Sequence, residues 1–258
     1  MAAPGIAAVR QHLRKLRQEF AVDVVIAQAE NVTDGRGMTV ADYQALRAAG
    51  VDGFSGGNWS LYREELIPLL ADPNAPVIRP ANYPADTPGL GYKFITTPKG
   101  RVLMVSLLGK IVGKDADKPA DNPLHVIDGI LQRTTDQGHV ATVVNFHGDF
   151  SSEKVVVGHY LDGRVTVVVG DHWHVPTADS RILPGGTAHM TDVGMCGVLN
   201  SSLGVTLDSV VPRWKEGHAT RNIMATDGPL QINALLVAVD ESTGLATDCE
   251  YVGRIITA

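Results

Sequence analysis

Cysteine is nearly absent: Cys196 and Cys249 are the two thiols among 258 residues. So few, so far apart in sequence, exclude a disulfide scaffold and a thiolate metal cluster, and they suit a reducing, cytoplasmic setting. Long hydrophobic runs are also missing. Stretches such as Leu235 to Val239 are one strand long, whereas a membrane-spanning helix needs about 20 residues. Charge of one sign does not accumulate either. Lys+Arg is 22 against Asp+Glu 28, a formal net charge of −6, dispersed along the chain. That balance argues against general nucleic-acid binding and against attachment to an anionic membrane. Only a local positive site remains open for handling a phosphate.

What is present is enough for a core. Hydrophobic residues make up 44% of the chain, which excludes disorder. The N-terminus carries Arg10, Arg14, Lys15 and Arg17 with no early acid, as a transit peptide would. Val9, Leu13, Leu16 and Phe20, however, recur at i, i+4, i+7 and i+11 and predict an ordinary amphipathic first helix. Asp23 to Ala27 reads as a buried strand. Thr39 with Asp42 predicts a capping box, and Gly50 the end of that helix. Pro73 to Gly91 is dense in proline and reads as an irregular excursion. Val102 to Leu107, Val140 to Phe146 and Val165 to Val169 read as sheet-core strands. Pro123 suits the first turn of a helix running to about Arg133. Ile232 to Val239 and Tyr251 to Ile256 read as a hairpin about Asp240 to Gly244. The expectation is one α/β domain over residues 1–258, two sheets flanked by helices.

The chemistry gathers at strand ends. Gly170-Asp-His-Trp-His-Val175 follows the strand ending at Val169. On an extended segment His172 and His174 would point the same way, about 6.5–7 Å apart, which suits one ligand on each of two ions. His147 ends another apolar strand, Glu30 and Asn31 follow a third, and Asn58 follows a fourth. Open α/β sheets gather their ligands at such ends. A set of nitrogen and oxygen donors suits Zn, Fe or Mn. Gly53-Phe-Ser55-Gly-Gly57 matches the nucleophile-elbow pattern but lacks the firm strand and following helix that motif needs. Leu108-Gly-Lys-Ile-Val-Gly-Lys114 lacks the spacing of a phosphate-cradling loop.

An ordered string of motifs then resembles the YmdB-like family of bacterial metallophosphoesterases, relatives of the calcineurin-like phosphatases. It runs through Glu30-Asn31 with Gly35 and Gly37, Gly57-Asn58, Arg79-Pro-Ala-Asn-Tyr-Pro84 and Thr87-Pro-Gly-Leu-Gly91. It continues through Asn145-Phe-His147, Ser152-Glu-Lys154, Asp162-Gly-Arg164 and His174-Val-Pro-Thr-Ala-Asp179. Arg181-Ile-Leu-Pro184, Gly186-Thr-Ala188 and Thr191-Asp-Val-Gly-Met-Cys-Gly197 complete it. The resemblance implies a calcineurin-like two-sheet α/β sandwich flanked by helices. It implies two divalent ions, with Glu30 bridging them, Asn58, His147 and His172 completing one, and His174 serving the other. Asn31 would lie beside the substrate phosphate. The substrate would be a small phosphodiester such as a cyclic nucleotide, attacked by a metal-bound hydroxide.

This sequence departs from the family pattern in two places. The family opens with a strand ending in Gly-Asp, whose Asp binds the first ion; here that strand and its Asp are missing before Ala3-Pro-Gly5. One ion per chain, or none, is therefore expected rather than two. A start upstream of Met1 would restore the strand. It would leave unexplained Trp59, which stands where the family has a His acting on the leaving group and which cannot transfer a proton there. Asp171 replaces a Thr, Asn145 an acid, and Trp173 a small polar residue; Asp171 or Asp149 could serve as an alternative acid. Two readings follow: an active phosphodiesterase of altered specificity, or a catalytically weak or inactive member serving as a binding or assembly subunit. A sheet lacking its first strand would also leave two open edges, which invite a homo-oligomer, a partner subunit or a rearranged N-terminus.

Overall fold

The computed structural model describes residues 1–113 and 116–257. Helix α1 (Ala2–Glu19) leads into strand β1 (Ile26–Gln28), helix α2 (Val40–Ala49), strand β2 (Gly53–Ser55) and the short helix α3 (Ile67–Ala71). Half of the capping box expected at α2 forms: Asp42 N–H donates to Thr39 Oγ1 at 3.2 Å, whereas the Thr39 N–H donates to Thr33 Oγ1 at 2.9 Å and the Asp42 carboxylate accepts from that same hydroxyl. Gly50 closes the helix at φ 110°. A left-handed cap of that kind favours glycine. Strand β1 is shorter than the apolar run suggested, because Val25 spends its backbone on a turn: its carbonyl accepts from Asp52 and Gly53, and its N–H donates to Asp52 Oδ2.

Six strands form the main sheet: β3 (Tyr92–Thr97), β4 (Gly100–Leu108), β5 (Ala141–His147), β6 (Val167–Asp171), β7 (Arg181–Ile182) and β8 (Ala188–Met190), in the order β3-β4-β5-β6-β8-β7. The register aligns Met104, Val143 and Val167 on one face and Val105, Val144 and Val168 on the other. Helices α4 (Pro123–Thr134) and α5 (Ser151–Tyr160) cover the second face with Ile127, Ile130 and Val157. The rest of the chain supplies helix α6 (Leu207–Glu216) and strands β9 (Gly197–Val198), β10 (Leu230–Asp240) and β11 (Leu245–Ile256). The β10–β11 hairpin falls where the sequence predicted it.

The first face meets a second layer, made in two pieces. Ile26 packs with Ile78, Ile95 and Met104 beneath β1–β2, while Leu235, Val237 and Ala246 of the hairpin pack on Val143, Val167 and Val169. The expected two-sheet sandwich flanked by helices is the architecture found. Among the described residues strand β1 pairs only with β2, and β10 meets β9 only at Leu230 and Gln231. The start of α1 ties the two pieces together: the Met1 amine donates to Cys196 O at 2.6 Å, and Ala2 N–H donates to Asn31 O at 3.1 Å. Among the described residues no helix is long and apolar enough to cross a membrane.

The proline-rich excursion is irregular, as expected, and one side chain organises it. The buried Arg79 donates to Pro80 O at 2.7 Å, Thr87 O at 3.0 Å and Pro88 O at 3.2 Å. Strand β3, which follows it, has no counterpart in the sequence reading. Its Lys93 is a buried position that looks polar in sequence; the ammonium caps the carbonyls of Leu69, Asp72 and Ala75.

Candidate metal centre

Strand β5 is buried along most of its length and delivers His147, fully buried, at its C-terminal end. Its neighbour in register on β6 is Asp171, whose Oδ1 lies 2.6 Å from His147 Nδ1. The other ring nitrogen, Nε2, lies 2.8 Å from Asn58 Oδ1 and 3.3 Å from Glu30 Oε1. Glu30 is buried just beyond β1 and accepts the backbone N–H of Trp59 at 3.1 Å. Glycine is required between β2 and Asn58. A Cβ on Gly57 would stand 2.3 Å from Glu30 Oε2 and 2.6 Å from the His147 ring.

His172 joins this group. Its ring meets His147 edge-on with centroids 4.4 Å apart, and its Nε2 lies 3.2 Å from Asp149 Oδ1. A carboxylate on one ring nitrogen leaves the lone pair of the other for an ion, and His172 Nδ1 is buried without a hydrogen-bond partner. Donor atoms of Glu30, His147 and His172 all lie within 4.8 Å of one another. Those three could hold a metal ion. The donor chemistry, the side-chain-free cradle at Gly57 and the orphaned buried nitrogens fit a divalent cation with nitrogen and oxygen preference.

The electrostatics of the pocket agree. Burial pushes the Glu30 carboxyl up to about 7, against the lowering effect of His147. Burial also opposes charge on His147, but Glu30 and Asp171 outweigh it and raise the imidazole to about 9. Without an ion, the proton on His147 offsets part of the carboxylate charge around it; a cation would displace that proton. His172 and His174 are each held down to about 4, chiefly by burial and secondarily by nearby positive groups.

The extended arrangement expected for His172 and His174 is not what the fold contains. Strand β6 ends at Asp171, and both histidines have left-handed backbones, φ 101° and 65°. They do not alternate along a strand, and the donor atoms that converge are those of Glu30, His147 and His172, without His174. Its Nδ1 is buried and unpartnered. Sequence reasoning gave no role to the residues that hold this strained turn. Lys154, within α5, is buried against Asp192 at 2.8 Å and donates to Asp171 O at 2.6 Å. Its ammonium lies 3.9 Å from the Trp173 ring, while Asp192 Oδ2 accepts the Trp173 N–H at 2.9 Å. Both residues sit inside motifs of the family string, Ser-Glu-Lys and Thr-Asp-Val-Gly, which was the available signal.

Three further positions complete the placement. Asn31 Nδ2 donates to Gly35 O at 2.9 Å, bracing the loop after Glu30. Trp59 lies half-buried beside the centre, edge-on to Tyr62 at 5.4 Å. Ser55 is buried and donates its hydroxyl to Asn145 Oδ1, so it is no exposed elbow nucleophile.

A parallel-cored two-layer sandwich that gathers Glu, Asn and His at strand ends is the architecture of a metallophosphoesterase. The similarity is also specific: the family described as YmdB-like protein matches residues 1–252, and the chain belongs to that family. A 2′,3′-cyclic-nucleotide 2′-phosphodiesterase of Bacillus subtilis is 32% identical over 251 residues, 97% of this chain and 92% of the relative. A solved structure of a hypothetical protein from Thermus thermophilus superposes with a TM-score of 0.88 at 34% identity, covering 99% of this chain and 96% of that one. A solved phosphatase of Mycoplasma pneumoniae gives a TM-score of 0.89 at 27% identity, with coverage of 99% and 90%. These relatives support a phosphoesterase function.

Proposed function

We propose that the protein is a divalent-metal-dependent phosphodiesterase whose substrate is a small phosphodiester such as a 2′,3′-cyclic nucleotide. The convergence of Glu30, Asn58, His147 and His172 around Gly57 carries this reading. A Zn, Fe or Mn ion held by Glu30, His147 and His172 would supply Lewis acidity toward water and phosphate. The chain's own residues orient and hold. Asp171 fixes the tautomer and plane of the His147 ring, Asp149 does the same for His172, and the Trp59 N–H fixes Glu30. Asn31, at the mouth of the same loop, would lie beside the phosphate. His174 would serve a second ion, but the group that converges is a single set, so the reading takes one ion per chain.

The leaving-group side is where the residues depart from a full catalytic set. The Trp59 indole has no proton to transfer to an alkoxide, and loss of a general acid slows such steps about 10²–10⁴-fold. Esters with poor leaving groups should therefore turn over slowly, and activated aryl esters should suffer less. Elemental analysis of the purified protein, with hydrolysis of bis-p-nitrophenyl phosphate and 2′,3′-cyclic AMP measured in parallel, tests this. One equivalent of metal and chelator-sensitive hydrolysis, faster on the aryl ester, is expected. Trp59→His should raise cyclic-nucleotide hydrolysis more than aryl-ester hydrolysis. Bound metal with no hydrolysis of either ester, in either variant, would overturn the enzyme reading. It would leave the second reading, a binding or assembly subunit, for which the indole beside the centre is the supporting observation.

A further inference from the structure

Next to the metal centre, and unused in building it, is a cationic platform. The backbone of Trp59 sits on Glu30, so its indole begins at the centre and extends outward. The Arg36 guanidinium lies 4.8 Å over the indole centroid and 5.8 Å from that of Tyr62. Lys118 Nζ approaches the same indole at 5.2 Å and donates to Asn58 O at 2.8 Å. Neighbouring Arg63 is committed elsewhere, to Asp34 at 3.4 Å and to the carbonyls of Arg36 and Thr33. Among the described residues no carboxylate pairs with Arg36.

The loop carrying Arg36 is cross-linked by its own backbone hydrogen bonds. Gly37 N–H donates to Glu30 O, Arg36 N–H to Thr33 O at 2.9 Å and Thr33 N–H to Gly37 O at 2.9 Å, and Arg63 packs where a Cβ on Gly37 would lie. The guanidinium is thus exposed over an aromatic ring, and among the described residues no side-chain hydrogen bond from Arg36 is formed. A guanidinium left without an acidic partner can bind phosphate through two parallel hydrogen bonds. Prior ordering of the loop removes part of the entropy lost on binding. On a chain of net charge −6, a cation fixed beside a phosphate-handling centre is a selective feature. Its bland alternative is a surface cation–π contact with no ligand.

We propose that Arg36, seated on Trp59, is a subsite for a second phosphoryl group, so that the protein prefers nucleotides bearing two phosphoryl groups over those bearing one. The inference rests on the phosphodiesterase reading for its first phosphate position, and the test separates the two. Binding of adenosine 3′,5′-bisphosphate and of adenosine 5′-monophosphate to the metal-loaded protein is measured by calorimetry, for wild type, Arg36→Ala and Arg36→Gln. Wild type should bind the bisphosphate about 10- to 100-fold more tightly, the increment of a charge-assisted contact. Both variants should lose that preference and keep their affinity for the monophosphate. Equal affinity of wild type for the two ligands, or a variant that weakens both alike, would overturn the subsite. Bound metal with no hydrolysis of either ester, in wild type or Trp59→His, would sink the phosphodiesterase reading instead, leaving the binding preference to stand or fall on its own.

Discussion

His147 and His174 are close enough for the charge of one to act on the other, yet their surroundings differ. His147 ends a straight strand and has a partner at each ring nitrogen. His174 sits on a left-handed backbone with a buried Nδ1 that meets nothing. The first is raised to about 9 by two carboxylates; the second is lowered to about 4, mainly by burial. One corner is assembled before any ion arrives, because sheet register fixes Asp171 against His147. The other depends on a turn that only long-range contacts hold. Partners at both ring nitrogens on one side and an unpartnered ring nitrogen on the other is the contrast that a metal count per chain would test.

Acid and alkali should pull these corners apart, and this is the largest effect expected. In the chelator-treated protein, His172 and His174 refuse protons that their unfolded counterparts accept. Their contribution to stability is complete above about pH 6.5 and is lost as pH falls toward 4. The steepest slope is about 1.4 kcal/mol per pH unit for each histidine. His147 works in the opposite sense: its contribution is complete below about 6.5 and is lost as pH rises through 9. Thermal melting across that range should give a maximum near neutrality, and His174→Ala should flatten only the acid limb. A steeper alkaline limb in that variant would mean the two corners are not independent.

Next in size is Lys154→Met. It strands the buried Asp192 carboxylate, and removing one member of a buried pair typically destabilises by about 3–5 kcal/mol. Denaturant melts should register this, and the double change Lys154→Met with Asp192→Leu should recover much of it. No recovery would point to the lost carbonyl contact at Asp171 instead. Asp171→Asn should weaken metal binding about 10- to 100-fold, the usual effect of removing the carboxylate behind a ligating histidine. Competition against a chelating dye measures it, and an unchanged affinity would contradict the His147-centred site. Smallest of all, His174→Ala should change the affinity for the first ion by less than about 3-fold by the same assay, since His174 lies outside the convergent set.

The contrast between the corners also explains what was legible in sequence. Glu30, Asn58 and His147 could be named because short strands end at them, and a strand end is a local signal. Both strand-end histidines after Gly170 were found, but their geometry was misjudged. Two departures into the left-handed region leave no mark in composition, since neither residue is glycine. Lys154 escaped a role, and Asp171 its place behind His147, because their partners lie on other elements, 38 residues away at Asp192 and 24 away at His147. Arg36 gave no signal at all: nothing in Asp34-Gly-Arg-Gly37 announces that Trp59 will lie beneath it. Strand β3 was hidden by Lys93, whose charge faces inward to three carbonyls. The sandwich itself was readable, because valine-rich runs and a turn-bounded hairpin impose it locally.

Arg79 bears on a different matter, the behaviour of the molecule under reducing conditions. Its guanidinium closes a loop from residue 79 to residue 88 on three main-chain oxygens, a topological link of the kind small secreted proteins obtain from cystine. Both cysteines here are unbridged, so no thiol reagent can open this link. The longest proline-rich stretch of the chain is fastened by a staple that no change of redox potential can release.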